Sequence, residues 1–371
     1  MVGDNEPRFD HNPDTRESKG LLIEESRTNL VADNTNYSWW NNYSATHAKT
    51  TDVKAPDGSY NALKVTSTGS QSQFGIYAGV TYTGNAKYTH SVWLKAGTVT
   101  RIGLSVSSGS RWSVMPYLVV DLDTGTVNAT GSSLSTKLTA YPNGWYLLSA
   151  TGTFGSTTQA DGIWSYTAQS GGFSGNTTAY YYHWAGQVEA GEFATSHIPT
   201  NGAAATRGAD IVDIDGEDFT DLYNQSESTI ISSHTLLPNV PNAENVYVYQ
   251  IQDASTNNAI RVIDKNSSYS NVATAIVLNG GSSQAHFNNT TDSFGKDKVL
   301  VALSVKNNDF AGCHNGGTVE SDTSGTLATN FNSLGIGRYP PSGGYELNGH
   351  IQRFIYYRKQ LSDNQLKTLT S

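Results

Sequence analysis

The chain of 371 residues is predicted to be all-β, two β-sandwich (jelly-roll) domains in tandem with an extended N-terminal arm and a short C-terminal helix. Three observations carry that expectation. Apolar residues alternate over short runs, as in Tyr88-Thr89-His90-Ser91-Val92-Trp93-Leu94 and at Val299, Val301, Leu303 and Val305, which is the period of a half-buried strand. Turn chemistry separates the runs: Pro56-Asp57-Gly58, Asp123-Thr124-Gly125, Pro142-Asn143-Gly144 and Asn279-Gly280-Gly281 each supply a residue that tolerates positive φ. Composition agrees, with 36 Gly and 21 Tyr in a chain that is 37% hydrophobic. The length exceeds what one small core organises, so two bodies are expected.

Residues 1–20 hold Pro7, Pro13 and several charges without apolar periodicity. They read as an extended arm that gains order only by docking, with a neighbouring subunit as the expected partner. Strands recur from Leu21, and residues 180–188 set Tyr180, Tyr182 and Trp184 against Tyr181, His183 and Ala185, the pattern of a central strand. Residues 198–208 are small and polar, with one Pro and two Gly, and read as a linker. The domains are therefore placed at 21–207 and 208–371. In the second, strands resume near 228–232, 245–251, 259–263, 272–278 and 298–305. Ser362 followed by Gln365 forms a capping box, with Leu361 and Leu366 at the staple positions, so a short helix ends the chain. It is expected to cover the sandwich edge beside the strand at 351–357.

Several classes of function are disfavoured. Net charge is −9 with no run of Lys or Arg, so a nucleic-acid backbone is repelled. No apolar run approaches the ~20 residues that span a bilayer, so no membrane insertion is expected. Cys313 is the sole cysteine, which rules out an intramolecular disulfide and reads as a small buried hydrophobe. The His residues lack His-x-x-x-His spacing, and neither a nucleophile elbow nor a Walker loop is present. The acidic run Asp210, Asp213, Asp215, Glu217, Asp218 and Asp221 fits neither the carboxylate spacing of a retaining glycosidase nor an EF-hand loop. It reads instead as a first strand, with Ile211, Val212 and Ile214 inward and the carboxylates in water. No cofactor is expected. A structural calcium ion is compatible with a jelly roll, but no ligands are assignable.

Two segments bracket the first domain: PRFDHNPDTRESKGLLIEESRTNL at 7–30 and GQVEAGEFATSHIPTNGAAATRGAD at 186–210. They resemble the opening and closing signatures of a β-sandwich module of bacteriophage virion proteins. The first departs from the pattern at Thr15-Arg16-Glu17-Ser18-Lys19, where a Gly-containing turn is usual, so a differently shaped turn is expected. The first body resembles carbohydrate-binding modules. The ending, LGIGRYPPSGGYELNGHIQRFIYYRKQLSDNQLKTLTS, resembles a concanavalin A or laminin-G-like jelly roll. The resemblance implies a non-enzymatic tail-fibre-like or head-surface protein, made in the bacterial host cytoplasm and displayed on the virion. It would form a homo-oligomer, touch other virion proteins through the arm, and hold host cell-surface polysaccharide through multivalent weak contacts. Two readings stay open beside it: a structural decoration or cement protein of the capsid or tail, and a tailspike-type polysaccharide depolymerase.

Sugar recognition needs flat rings for pyranose faces and polar partners for hydroxyls. Trp112, at a strand end after Gly109 and Ser110, and Trp164 and Tyr166, in a polar loop, have Gly/Ser-rich, non-alternating surroundings and form the candidate stacking platform, against the alternative that these rings close the end of the sandwich. Trp39 and Trp40 are adjacent, so an extended backbone turns one inward and one outward. Trp40 is carried as the fourth candidate. Trp93, Trp145 and Trp184 lie in alternating strands and read as core.

Overall fold

The computed structural model describes residues 6–13, 15–69, 73–105, 117–130, 135–153, 159–167, 176–237, 245–255, 257–264, 273–288, 298–340 and 344–371. It is all-β apart from two short α-helices and a single 3-10 turn among these residues. The chain divides into two units, one made of Met1–Asn12, Arg16–Ser26 and Gly208–Ser371, the other of Pro13–Thr15 and Arg27–Arg207. The first unit is thus discontinuous, and nearly all of the second is inserted between its parts.

The inserted unit is a sandwich of two antiparallel sheets. One runs in the order Thr126–Thr130, Tyr117–Asp121, Arg101–Ser105, Gln159–Thr167, Gly75–Tyr82, Asn41–Tyr43. The other runs Ser135–Tyr141, Trp145–Thr153, Lys87–Lys95, Tyr180–Ala190, Leu63–Ser67, Ala45–Lys49. Ile76, Val80, Ile102, Leu104, Val120 and Ile163 meet Val65, Val92, Leu94, Leu148 and Tyr181 between them. Two polar bridges also cross this core. The Tyr181 hydroxyl donates to the Ser165 carbonyl at 2.7 Å and lies 2.8 Å from its Oγ, which His183 Nδ1 approaches at 3.2 Å. Tyr82 Oη lies 3.2 Å from His90 Nε2. Buried polar groups need such partners, and these pairs fix how the sheets face one another.

The parts of the two bracketing segments that fall in this unit, residues 27–30 and 186–207, are bonded to each other. Arg27–Asn29 pairs antiparallel with Ala205–Arg207. The Asn29 amide donates to Ile198 O at 3.0 Å, and its Oδ1 accepts from the amides of Val31 at 3.0 Å and Val188 at 3.2 Å. Arg27 lies over the Phe193 ring, 4.7 Å from its centroid, and donates to Ala190 O. Its guanidinium fills the space where a side chain on Gly191 would sit. Asn34 and Thr200 exchange hydrogen bonds at 2.9 and 2.8 Å. These bonds tie the two ends of the inserted unit together.

The discontinuous unit is a second sandwich. Its seven-stranded sheet runs Phe9–His11, Ser18–Ile23, Gly349–Tyr357, Glu227–Leu236, Val299–Lys306, Asp309–His314, Glu320–Asp322. The facing sheet runs Asp213–Asp215, Ser333–Ile336, Val246–Gln252, Ala259–Asp264, Thr274–Asn279, Ser282–Asn288. The separate arm expected over 1–20, with the first sandwich starting at 21, is corrected by this pairing. Phe9–His11 and Ser18–Ile23 form a hairpin laid on the flank of Gly349–Tyr357, with Leu21 opposite Ile351. The partner lies within the same chain, and the physical reason is an otherwise open strand edge. Arg16, at φ 61, makes the unusual turn. Arg8 then grips Glu24 at 2.7 Å and Asp210 at 2.9 Å, while Asp10 takes Lys19 at 3.1 Å and His350 at 2.9 Å.

Two further expectations differ. Ile211 is 66% exposed instead of inward, and the acidic run continues into a helix, Gly216–Leu222, that buries Phe219. The C-terminal helix Asp363–Leu369 does carry its capping box, Gln365 Oε1 accepting from the Ser362 amide at 3.0 Å. It covers a face, not an edge: Leu361 and Leu366 pack with Ile231, Ala302, Ala311 and Cys313. The edge is already taken by the N-terminal hairpin. Cys313 is buried.

Candidate functional site

The outer surface of the inserted unit's first sheet is organised by register. One rung crosses all six strands, with Tyr43 opposite Gly75, Gly75 opposite Tyr166, Tyr166 opposite Gly103, Gly103 opposite Val119 and Val119 opposite Asn128. The next pairs Asn41 with Tyr77, Tyr77 with Trp164 and Trp164 with Ser105. Residues directly opposite share a face, and successive residues alternate. Ile76, Ala78, Ile102, Leu104 and Ile163 belong to the core, so Tyr43, Tyr77 and Tyr166 face outward.

Aromatic and glycine therefore alternate along the first rung. Adjacent strands lie about 4.8 Å apart, which separates Tyr43 from Tyr166 by roughly 10 Å with only Gly75 between them. The Tyr166 ring lies across the neighbouring strand, since a Cβ on Gly103 would come within 2.8 Å of its Cζ. Gly79 opposite Gly162 extends the floor. Tyr43 is 42% exposed on the edge strand, and Trp39, in the turn that leads into that strand, is 62% exposed. The exposed Asn41 and Asn128 add amides. Flat rings around a floor without side chains suit the apolar face of a pyranose, and the amides suit its hydroxyls. The charged couple on this face is Arg101 with Asp121, 3.8 Å apart, at the margin of the rung.

The four candidates read from the sequence fall differently, although one shared ligand set was expected of them. Tyr166 and Trp164 lie two residues apart in the strand Gln159–Thr167 and on adjacent rungs, a strand where a polar loop was expected. Trp112 lies outside the described residues. Trp40 is a core residue and the correction is clear: it is 5% exposed, its indole N–H donates to Asp33 O at 2.6 Å, and its ring meets His183 with centroids 4.8 Å apart. Its neighbour Trp39 takes the outward position. Trp145 and Trp184 are buried, and Trp93 packs against the core from its partly buried position.

Tyr43 and Tyr77 are outward-facing residues that sequence pattern did not single out, and Trp39 was named only as the alternative to Trp40. The signal for Tyr77 was present, because it falls out of phase with the apolar positions Ile76, Ala78 and Val80. Gly103→Ala is expected to lift the Tyr166 ring off the sheet while costing about 1 kcal/mol or less, because the obstructing atoms end a rotatable side chain. Ring proton shifts of Tyr166 identical to wild type would contradict this.

Among the described residues no group of three or more His, Cys, Asp or Glu side chains is arranged to hold a metal ion, and no helix is long and apolar enough to cross a membrane. No family model matches the chain, and no curated protein matches it. Solved structures do resemble it in fold. The CBM40 domain of Ruminococcus gnavus IT-sialidase, in a complex with α2,3 sialyllactose, is 17% identical with a TM-score of 0.37, the match covering 43% of this chain and 92% of that one. A heptameric SAP-like pentraxin from Limulus polyphemus is 11% identical with a TM-score of 0.32, over 39% of this chain and 70% of its own. The binding domain of botulinum neurotoxin serotype D/C is 15% identical with a TM-score of 0.33, over 46% and 41%. At these values the likeness carries no argument about this chain's ligands or role.

Proposed function

We propose that the chain is a non-enzymatic component displayed on a bacteriophage virion, and that it holds host-surface glycan on the outer face of the Arg27–Arg207 sandwich. The observation that carries the glycan reading is the rung in which Tyr43, Gly75, Tyr166 and Gly103 alternate across four strands. Such a surface offers stacking and neutral hydrogen bonds, and its two aromatic rungs bear no carboxylate among the described residues. Each contact is weak. Useful affinity then comes from several copies engaging at once, which a homo-oligomer on a particle supplies. The virion assignment is supported by the resemblance of segments 7–30 and 186–210.

Isolated monomer is expected to bind a host glycan array barely, while the chain clustered on a particle or bead binds firmly. Tyr166→Ala and Trp39→Ala are each expected to weaken clustered binding about 10-fold, an aromatic contact of roughly 1 kcal/mol being multiplied by valency. Undiminished binding by both variants would overturn the reading. Release of reducing ends from host capsule would replace it with a depolymerase. A purely decorative role has no observation of its own, since the N-terminal hairpin, the expected anchor to a neighbour, is paired within its own unit.

A further inference from the structure

The discontinuous unit carries its own aromatic surface on the outer face of its six-stranded sheet. Beyond the strand Ser333–Ile336 the chain turns back over that sheet, and Pro340 sits on Gly335, where a Cβ would lie 2.3 Å from the proline Cγ. Tyr339 and Tyr345 flank Tyr247 of the strand Val246–Gln252, with ring centroids 5.1 and 6.1 Å from it and 6.2 Å from each other. Tyr345 is 54% exposed and has a backbone φ of 56. A bulky residue in that region is strained by about 1–3 kcal/mol and persists only where its surroundings enforce it. Here the Tyr247 amide donates to Tyr345 O at 3.0 Å and fixes it.

Arg261, on the adjacent strand Ala259–Asp264, brings a charge to the same cluster. Its guanidinium carbon lies 5.9 Å from the centroid of the Tyr247 ring, and Nη1 reaches only the Tyr247 hydroxyl, at 3.5 Å. Among the described residues its buried Nε has no acceptor and no carboxylate is within ion-pair distance of the guanidinium. A half-buried guanidinium whose Nε–H lacks an acceptor among the described residues is complementary to an anion, and Arg favours the planar, two-oxygen anion of a carboxylate. The exposed ring of Tyr345, which like Arg261 lies against Tyr247, is complementary to a sugar face.

We propose that this surface is a second carbohydrate site, independent of the first, that takes a uronate-type acidic sugar with its carboxylate on Arg261 and its ring on Tyr345. The full chain would be titrated with trigalacturonate and with a hyaluronan tetrasaccharide, followed by calorimetry and saturation-transfer NMR. At least one is expected to bind, with a dissociation constant on the order of 1 mM, and to weaken as salt rises. Arg261→Gln and Tyr345→Ala are expected to weaken it about 10-fold or more, and Tyr345→Phe and Tyr166→Ala to leave it unchanged. Arg261→Lys, which keeps charge and packing but not the planar fork, is expected to fall between, and guards against a folding artefact. The proposal is overturned if neither probe binds, if the methyl ester of trigalacturonate binds equally, or if Arg261→Gln binds as wild type. It is also overturned if Tyr166→Ala removes the binding, which would assign the ligand to the other face, or if hexaglutamate competes equally, which would make the partner an acidic peptide.

Discussion

Acidification from about pH 7 to about pH 4 is expected to remove roughly 3 kcal/mol of stability per buried histidine from the Arg27–Arg207 sandwich. Burial pushes His90 down to about 3, and burial together with the charge of His47 pushes His183 down to about 3. Both stay neutral in the folded state, whereas the unfolded chain takes up protons near pH 6.5. Between those limits the unfolded state binds more protons, so stability is complete above about pH 6.5 and is lost as pH falls toward 3. His197, lowered to about 4 by burial, acts in the same direction. Glu189, whose carboxyl is raised by burial, opposes them. All 7 Trp residues lie between Arg27 and Arg207, so tryptophan fluorescence in urea follows this unit selectively. The urea midpoint should drop steeply between pH 6.5 and 4, and His90→Gln should flatten the dependence by about one proton. A flat profile would mean that these rings are not held neutral inside.

The second large effect concerns the N-terminal hairpin. Gly20 has φ 97, and a Cβ there would lie 2.3 Å from Ile351 O and 2.7 Å from Gln352 Cα, in the backbone of the strand it pairs with. Neither obstacle can rotate away. Gly20→Ala is expected to unseat Phe9–His11 and Ser18–Ile23 from Gly349–Tyr357, at roughly 2–4 kcal/mol, and to open Arg16 and Lys19 to trypsin. Gly208→Ala, which meets nothing within 4 Å, is the matched control. Equal trypsin rates for the two variants would refute the importance of that close approach.

The distinction between what could and could not be read beforehand follows from the range of each interaction. Alternation and turn residues act within a few positions, so the strands, the central place of Tyr180–Ala190 between two neighbours and the Ser362–Gln365 capping box were all accessible from local pattern. The N-terminal hairpin was not. Arg8, Asp10 and Lys19 have the composition of a solvated arm, and Asp210 and His350, which hold Arg8 and Asp10, are remote in the chain. Trp39 and Trp40 show the same limit at short range, because alternation says that one ring is buried without saying which. The aromatic rung is harder still. Tyr43, Gly75, Tyr166 and Gly103 come from four strands, and only the pairing register makes them neighbours. Ile211 misled for the opposite reason, since a local apolar pattern suggested burial and the residue is exposed.

The discontinuous topology also sets a timetable for synthesis. The hairpin is synthesised well before the strand that completes it, and contacts such as Glu25 with Asn348 join residues 323 positions apart. Every strand of the inserted sandwich meets its neighbours long before that, so this body can finish while its flanks are still open. Until Gly349–Tyr357 arrives, the hairpin is an exposed edge that another nascent chain could capture. Its dense charge, from Arg8 and Asp10 through Arg16, Glu17 and Lys19, keeps that waiting segment in water and out of such encounters.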